Sequence, residues 1–373
     1  MMFSTTRNAL LPLLAAATAP IASRTTIPVL ANVLVEAADG RLRLAATDLD
    51  QLVTVGLGVD MAQPGRATLP GRMLHQILAK LPDGAPVQIT HDAQAQRARL
   101  TAGRARFDLP TLPAADFPAM KAPGEGGDEP SRFSLAAPQL VALLGRPAFA
   151  MSREETRYYL NGVYLHRLGE RLAAVATDGH RLARATLAAP AGAERIDPVI
   201  LPRDTVANLL KLKPEGEVTI AATPTRVSFS WGDITLMTKV IDGQFPDYER
   251  VIPKADQQSV TARIERKPLA TTLDRVMAVA TDRTRSVRLA LGPGAVTVSA
   301  TEPEHGSAED TLDLADYAGE PLTIGFNGRY LIDGLEALAG DSVTFHGDSA
   351  GSPALITDPD DPDILVVVMP MRV

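Results

Sequence analysis

Apolar residues recur at helical spacing in three separated stretches: Leu74, Ile77, Leu78 and Leu81; Val206, Leu209 and Leu210; Leu331, Leu335 and Leu338. Residues three and four apart share one face of a helix, so each set predicts an amphipathic helix. A short apolar run precedes each set ("ATLP", "VILP", "LTIGF"). A glycine follows each one, Gly84, Gly216 and Gly340, and then an alternating stretch that reads as a half-buried strand. A second type of helix opens each pattern: "TTRNALLPLLAAATAPI", "LAAPQLVALLGRPAFAM" and "RKPLATTLDRVMAVAT". Strand-like alternation fills most of the remainder, which predicts an α+β chain dominated by strands.

These patterns are copies of one another. Ala46-Thr47-Asp48, Ala176-Thr177-Asp178 and Ala300-Thr301-Glu302 are separated by 130 and 124 residues, the glycines by 132 and 124, and Phe117-Pro118 lies 128 before Phe245-Pro246. The 373 residues therefore divide into three repeats, 1–124, 125–254 and 255–373, each reading helix, strands, helix, strands. The linkers are "MKAPGEGGDEPSR" and "VIPKADQQSVTAR". The repeat also bears on the start of the chain. "RNALLPLLAAATAPIAS" imitates a secretory signal, but its two internal counterparts favour a domain element.

Composition narrows the chemistry. There is no cysteine, which excludes disulfides, thiolate metal sites and a cysteine nucleophile, and fits a reducing compartment. No Walker loop, G-x-S-x-G elbow or H-E-x-x-H helix occurs, and none of the six histidines pair at metal-ligand spacing. The stretch "AVATDGHRLAR" offers Asp178 and His180 to a hydrolase reading. However, the Thr-Asp pair recurs with different followers, as expected of a turn in which aspartate bonds nearby backbone. A secreted, repeat-built adhesion protein is a third reading. The net charge of -7 is uneven: the first repeat carries +3, the second 0 and the third -10, a polarity suited to head-to-tail pairing.

"TLPAADFPAM", "RYYLNGVYL", "VATDGHRLA", "DGQFPDYERVIPK" and the terminal "VVMPMRV" resemble, in order and across the whole chain, the bacterial DNA polymerase III beta subunit, the replicative sliding clamp. The resemblance implies three DNA-clamp (processivity-fold) domains, each with two helices packed on antiparallel sheets. It implies a cytoplasmic head-to-tail homodimer that closes as a ring around duplex DNA. Such a ring confers processivity by tethering the replicative DNA polymerase, the clamp loader and other clamp-binding-motif proteins. It implies no catalysis and no cofactor.

A peptide pocket is implied at Arg157, Tyr159, Leu160, Thr177, Gly179, His180, Arg181, Leu182, Pro246, Val251, Val367, Met369, Pro370, Met371 and Arg372. DNA contacts are implied at Arg24, Arg72, Arg203 and Arg250, with Glu154 and Asp204 standing where a glutamine and a lysine would match the family better. The dimer contact is implied at Arg104, Arg106, Phe107 and Leu109 against Ala278, Val279, Glu304, Glu309 and Asp310, with Gly306 in place of a family acid.

Overall fold

The computed structural model describes residues 1–22, 24–280 and 285–372. Contacts divide it into two units: Met1–Pro138 with Pro190–Asp197 and Ala207–Val240, and Gln139–Ala189 with Pro198–Val206 and Ile241–Val373. The expected helices are present as α1 (Arg7–Ala17), α2 (Gly71–Ala79), α3 (Ala137–Gly145), α4 (Arg203–Leu212), α5 (Arg266–Val276) and α6 (Gly328–Ala337). The signal-like opening segment is α1. Thr6 caps it by accepting a hydrogen bond from the Ala9 N–H, and Leu10, Leu14 and Ala17 form its buried stripe. In α2, α4 and α6 the stripes Leu74/Leu78, Val206/Leu209 and Leu331/Leu335 are buried as their spacing predicts.

The first unit holds a five-stranded antiparallel sheet in the order Asp60–Gln63, Met2–Thr6, Pro86–Asp92, Arg97–Ala102, Ala105–Pro110. It also holds an eight-stranded sheet: Ser131–Ala136, Glu217–Ala222, Arg226–Trp231, Ile234–Lys239, Gln51–Gly58, Arg41–Thr47, Asn32–Ala38, Gly65–Pro70. The second unit holds a nine-stranded sheet: Val199–Pro202, Gly162–Leu168, Arg171–Thr177, Arg181–Ala188, Asp361–Val368, Ala354–Asp358, Ser342–Gly347, Val260–Glu265, Asp316–Ala318. Its four-stranded sheet runs Gly306–Asp313, Ala295–Glu302, Ser286–Gly292, Leu322–Asn327.

The units do not coincide with the sequence repeats because each large sheet is shared by two repeats. In the first unit, strand Ile234–Lys239 of the second repeat pairs with Gln51–Gly58 of the first, with Met237 opposite Leu52 and Leu236 opposite Val53. In the second unit, Asp361–Val368 of the third repeat pairs with Arg181–Ala188 of the second, with Val367 opposite Leu182 and Val366 opposite Ala183. Adding 130 to each residue of the first seam gives its counterpart in the second, so one register is used twice.

The Thr-Asp turns are built alike. Thr47 donates through Oγ1 to the Gln51 carbonyl, and the N–H groups of Asp50 and Gln51 donate to Asp48 Oδ1. Thr177 donates to the Arg181 carbonyl at 2.7 Å, and the N–H groups of His180 and Arg181 donate to Asp178 Oδ1 at 2.8 and 3.0 Å. The third copy departs: its strand runs on through Glu302, and Glu302 pairs with Gly306 across a three-residue turn. The glycines after the second helices also part company. Gly84 and Gly216 have φ of +70° and +66°, whereas at Gly340 a side chain would strike the Asp358 carboxylate, which accepts the Ala339 and Gly340 N–H groups.

Candidate functional site

In the second unit, the Thr177–Arg181 turn, the 157–160 segment, residues 246–251 and the end of strand Asp361–Val368 surround an apolar cleft of about 350 Å³. Leu182 and Val367, opposite each other in the seam and each 3% exposed, belong to the buried cluster beneath it. Val251 and Met369, 52% and 42% exposed, stand at the rim. The Met369 N–H donates to the His180 carbonyl at 2.8 Å, which carries the seam one residue past the strand and ties the chain end to the turn.

Gly179 has φ +89°, and a Cβ there would come within 2.6 Å of Arg157 Nη1. The left-handed φ favours glycine, and any side chain there would make the guanidinium shift. Arg157 is held from its other side by a fork onto Glu154, at 2.9 and 2.8 Å, and this donation holds the Glu154 carboxyl below its usual range. Glu154, where the family resemblance calls for glutamine, thus orients a cleft residue.

Arg181 is largely turned away from the apolar space. Its guanidinium donates to Asp178 at 3.0 Å and to Asp333 of α6 at 2.6 Å, and lies over the Tyr330 and Phe149 rings at 4.3 and 5.2 Å. Its side chain is 12% exposed and forms a partition. Beyond it is a polar chamber of about 690 Å³ lined by Arg153, Glu154, His180, Arg203, Arg329, Tyr330, Asp333 and Glu336 among others. Burial, with Arg153 adding to it, lowers the pKa of Arg203 there, and one terminal nitrogen of Arg203 is buried without a hydrogen-bond partner.

Eleven of the residues expected at the pocket line the apolar cleft: Arg157, Tyr159, Leu160, Thr177, Gly179, Arg181, Leu182, Pro246, Val251, Val367 and Met369. His180 faces the polar chamber instead. Pro370, Met371 and Arg372 continue past the cleft, the Met371 N–H donating to the Gly325 carbonyl. Asp247 and Tyr248 line the cleft and were not anticipated, although they lie between Pro246 and Val251. The Asp178–His180 pair that the hydrolase reading needs is not formed: both Asp178 oxygens are engaged by the turn and by Arg181, and none of those bonds reaches the His180 ring.

Of the basic residues expected on DNA, Arg24 and Arg72 are exposed in the first unit, Arg72 donating to the Ile21 carbonyl. In the second unit Arg203 lines the polar chamber, and exposed Arg250 pairs with Asp247. Five of the residues expected at the dimer contact lie in two edge strands, and the others in turns or a short helix. Strand Ala105–Pro110 closes the five-stranded sheet, with Arg106 exposed, Phe107 half-buried and Leu109 buried, while Arg104 sits in the preceding hairpin turn. Strand Gly306–Asp313 opens the four-stranded sheet, with Glu309 exposed. Asp310 is already engaged, accepting from Arg275 of α5 at 2.5 Å, which lowers its pKa. Glu304 is exposed in the turn before this strand; in the short helix Met277–Val279, Ala278 is exposed and Val279 half-buried.

Residues 1–121, 134–247 and 249–372 match, in turn, the N-terminal, central and C-terminal domains of the DNA polymerase III beta subunit. The beta sliding clamp of Caulobacter vibrioides is 42% identical over 98% of both chains. The solved sliding clamp of Bartonella birtlesii, bound to griselimycin, superposes with a TM-score of 0.95 at 38% identity, and that of Pseudomonas aeruginosa, also bound to griselimycin, with 0.94 at 36%, each over the whole of both chains. The fold is thus α+β with three DNA-clamp domains, and the protein is a sliding clamp of bacterial DNA replication. The chain belongs to the DNA polymerase III beta subunit family.

Proposed function

We propose that two copies of this chain pair head to tail into a ring around duplex DNA, which tethers the replicative polymerase and catalyses nothing itself. The observation that carries the reading is an unused seam. Three repeats, bounded at 1–124, 125–254 and 255–373, supply three outgoing and three incoming seam strands. Two pairs meet within the chain, in one register. The strands left over are Ala105–Pro110 and Gly306–Asp313, both at sheet edges. An edge strand presents unpaired N–H and C=O groups and invites a partner strand.

The register of that third seam follows from the hairpins. The pair Ala102 and Ala105 corresponds to Trp231 and Ile234, and the pair Thr301 and Ser307 to Thr177 and Leu182. Transferring the internal seams sets Phe107 of one copy opposite Ala308 of the other, Arg106 opposite Glu309 and Ala105 opposite Asp310. Each pairing matches exposed with exposed or half-buried with half-buried. Opposite charges directly across an antiparallel pair stabilise it, and the basic first repeat meets the acidic third. Because each copy offers both edges, two copies close the figure.

The test is sedimentation velocity. Arg104→Glu with Arg106→Glu should give monomers, and adding Glu309→Arg should restore dimer. An unaltered dimer in the first variant would sink the pairing.

The apolar cleft is where partners dock. Its leucine, valine and methionine surfaces suit short peptides carrying glutamine and apolar residues, and the methionine rim adapts to related sequences. Arg24, Arg72, Arg203 and Arg250 make weak phosphate contacts that leave the ring free to slide. The site of action is the cytoplasm, and no helix among the described residues is long and apolar enough to cross a membrane.

A further inference from the structure

The wall of the cleft between Pro246 and Val251 rests on an aromatic stack that the docking reading does not use. Tyr164 stacks on Phe245 at 4.7 Å, nearly parallel, and on His166 at 4.5 Å. Tyr248 meets His166 edge-on and lines the cleft. The hydrogen bonds within this group have fixed directions. His166 Nδ1 lies 2.9 Å from the Arg167 carbonyl, which can only accept, so Nδ1 carries the proton. In neutral histidine Nε2 is then bare and can only accept, and the Tyr248 hydroxyl at 3.0 Å must be its donor. Arg184, a cation, lies near the same hydroxyl and lowers its pKa against the larger effect of burial.

We infer that neutral His166 is a positioning residue for peptide docking: by accepting from Tyr248 it fixes the turn that holds Pro246 and Val251 against the cleft. The inference rests on the docking reading of that cleft. A second proton on His166 would turn Nε2 into a donor aimed at a hydroxyl whose other neighbour, Arg184, is also a donor. Tyr248 would lose its acceptor, and the wall its anchor.

The groups around the ring are Arg184, Glu249, the Arg167 carbonyl, Tyr164 and Tyr248. Burial, the largest influence, and Arg184 disfavour the charged ring; the Arg167 carbonyl and Glu249 favour it, and the outcome lies below the ordinary 6.5. At neutral pH the ring is therefore uncharged and the wall is set. The wall loosens as pH falls below 6.5 toward the lowered value.

The experiment is calorimetry of the full-length protein with a short synthetic peptide of glutamine and leucine residues, from about pH 7.5 down through and below the ordinary histidine range to the lowest pH at which the protein stays folded. Wild type should lose about 3- to 10-fold in affinity across that range, the worth of one hydrogen bond. His166→Gln keeps an acceptor for Tyr248 but cannot titrate, so it should bind like wild type at the upper pH and lose the dependence attributable to this ring. His166→Leu should be weaker by about the same 3- to 10-fold at the upper pH, having no acceptor. A His166→Gln variant that keeps the full wild-type slope would assign the titration to another group and overturn the inference. So would a folded His166→Leu variant that binds like wild type. Absence of any wild-type binding at the upper pH would instead overturn the docking reading, and this inference with it.

Discussion

Met369 holds the rim of the cleft through its backbone bond to His180, while its side chain is free to meet a ligand. That makes it a cleaner probe than Leu182, whose burial in the seam ties any truncation to folding. Met369→Ala should weaken a bound peptide by about 1–4 kcal/mol, the usual cost of truncating an anchor, and leave the dimer intact. Unchanged affinity in calorimetry would remove Met369 from the site. Gly179→Ala should also reduce affinity, because its positive φ strains an alanine and a methyl group would displace the Arg157 guanidinium from the cleft. If that variant binds normally, Arg157 can move aside without loss.

At this scale the sequence reveals structure where the chemistry is local. The Thr177-Asp178 pair was legible as a turn because its hydrogen bonds reach only two to four residues along the chain. Arg181 was legible as part of the site but not as a partition. Its partners Asp333 and Tyr330 lie on a helix about 150 residues away, and no spacing rule connects them.

Secondary-structure elements show the same division. Among the described residues, α2, α4 and α6 follow from apolar periodicity, while α1, α3 and α5, the signal-like opening included, follow from their repetition along the chain. The sheets followed less well. Alternation reveals that a strand is half-buried, but not which strand lies beside it, so the two seams shared between repeats became visible only in the fold. Asp310 shows the consequence: a residue expected at the partner contact is held by Arg275 of its own chain. Glu309, on the opposite face of the strand, is the better partner for Arg106. Glu309→Arg alone should therefore weaken the dimer, whereas Asp310→Asn should act first on the packing of α5. Sedimentation and thermal melting separate the two, and equal dimer loss from both would argue against the proposed register.

For the whole molecule, the clamp reading makes a claim about topology. A protein that grips DNA through phosphates loses affinity steeply with salt, because binding depends on released counterions. A closed ring is retained by its closure, and an overall charge of -7 is then no obstacle. The measurement that separates these cases is retention on DNA of equal sequence and length, nicked and circular or cut once and linear, after loading by the clamp loader and a step to moderate salt. The expected result is persistence on the circle and rapid loss from the linear form, as the ring slides off its ends. Equal loss from both would mean that the protein holds DNA by surface contact alone, which contradicts the encircling ring.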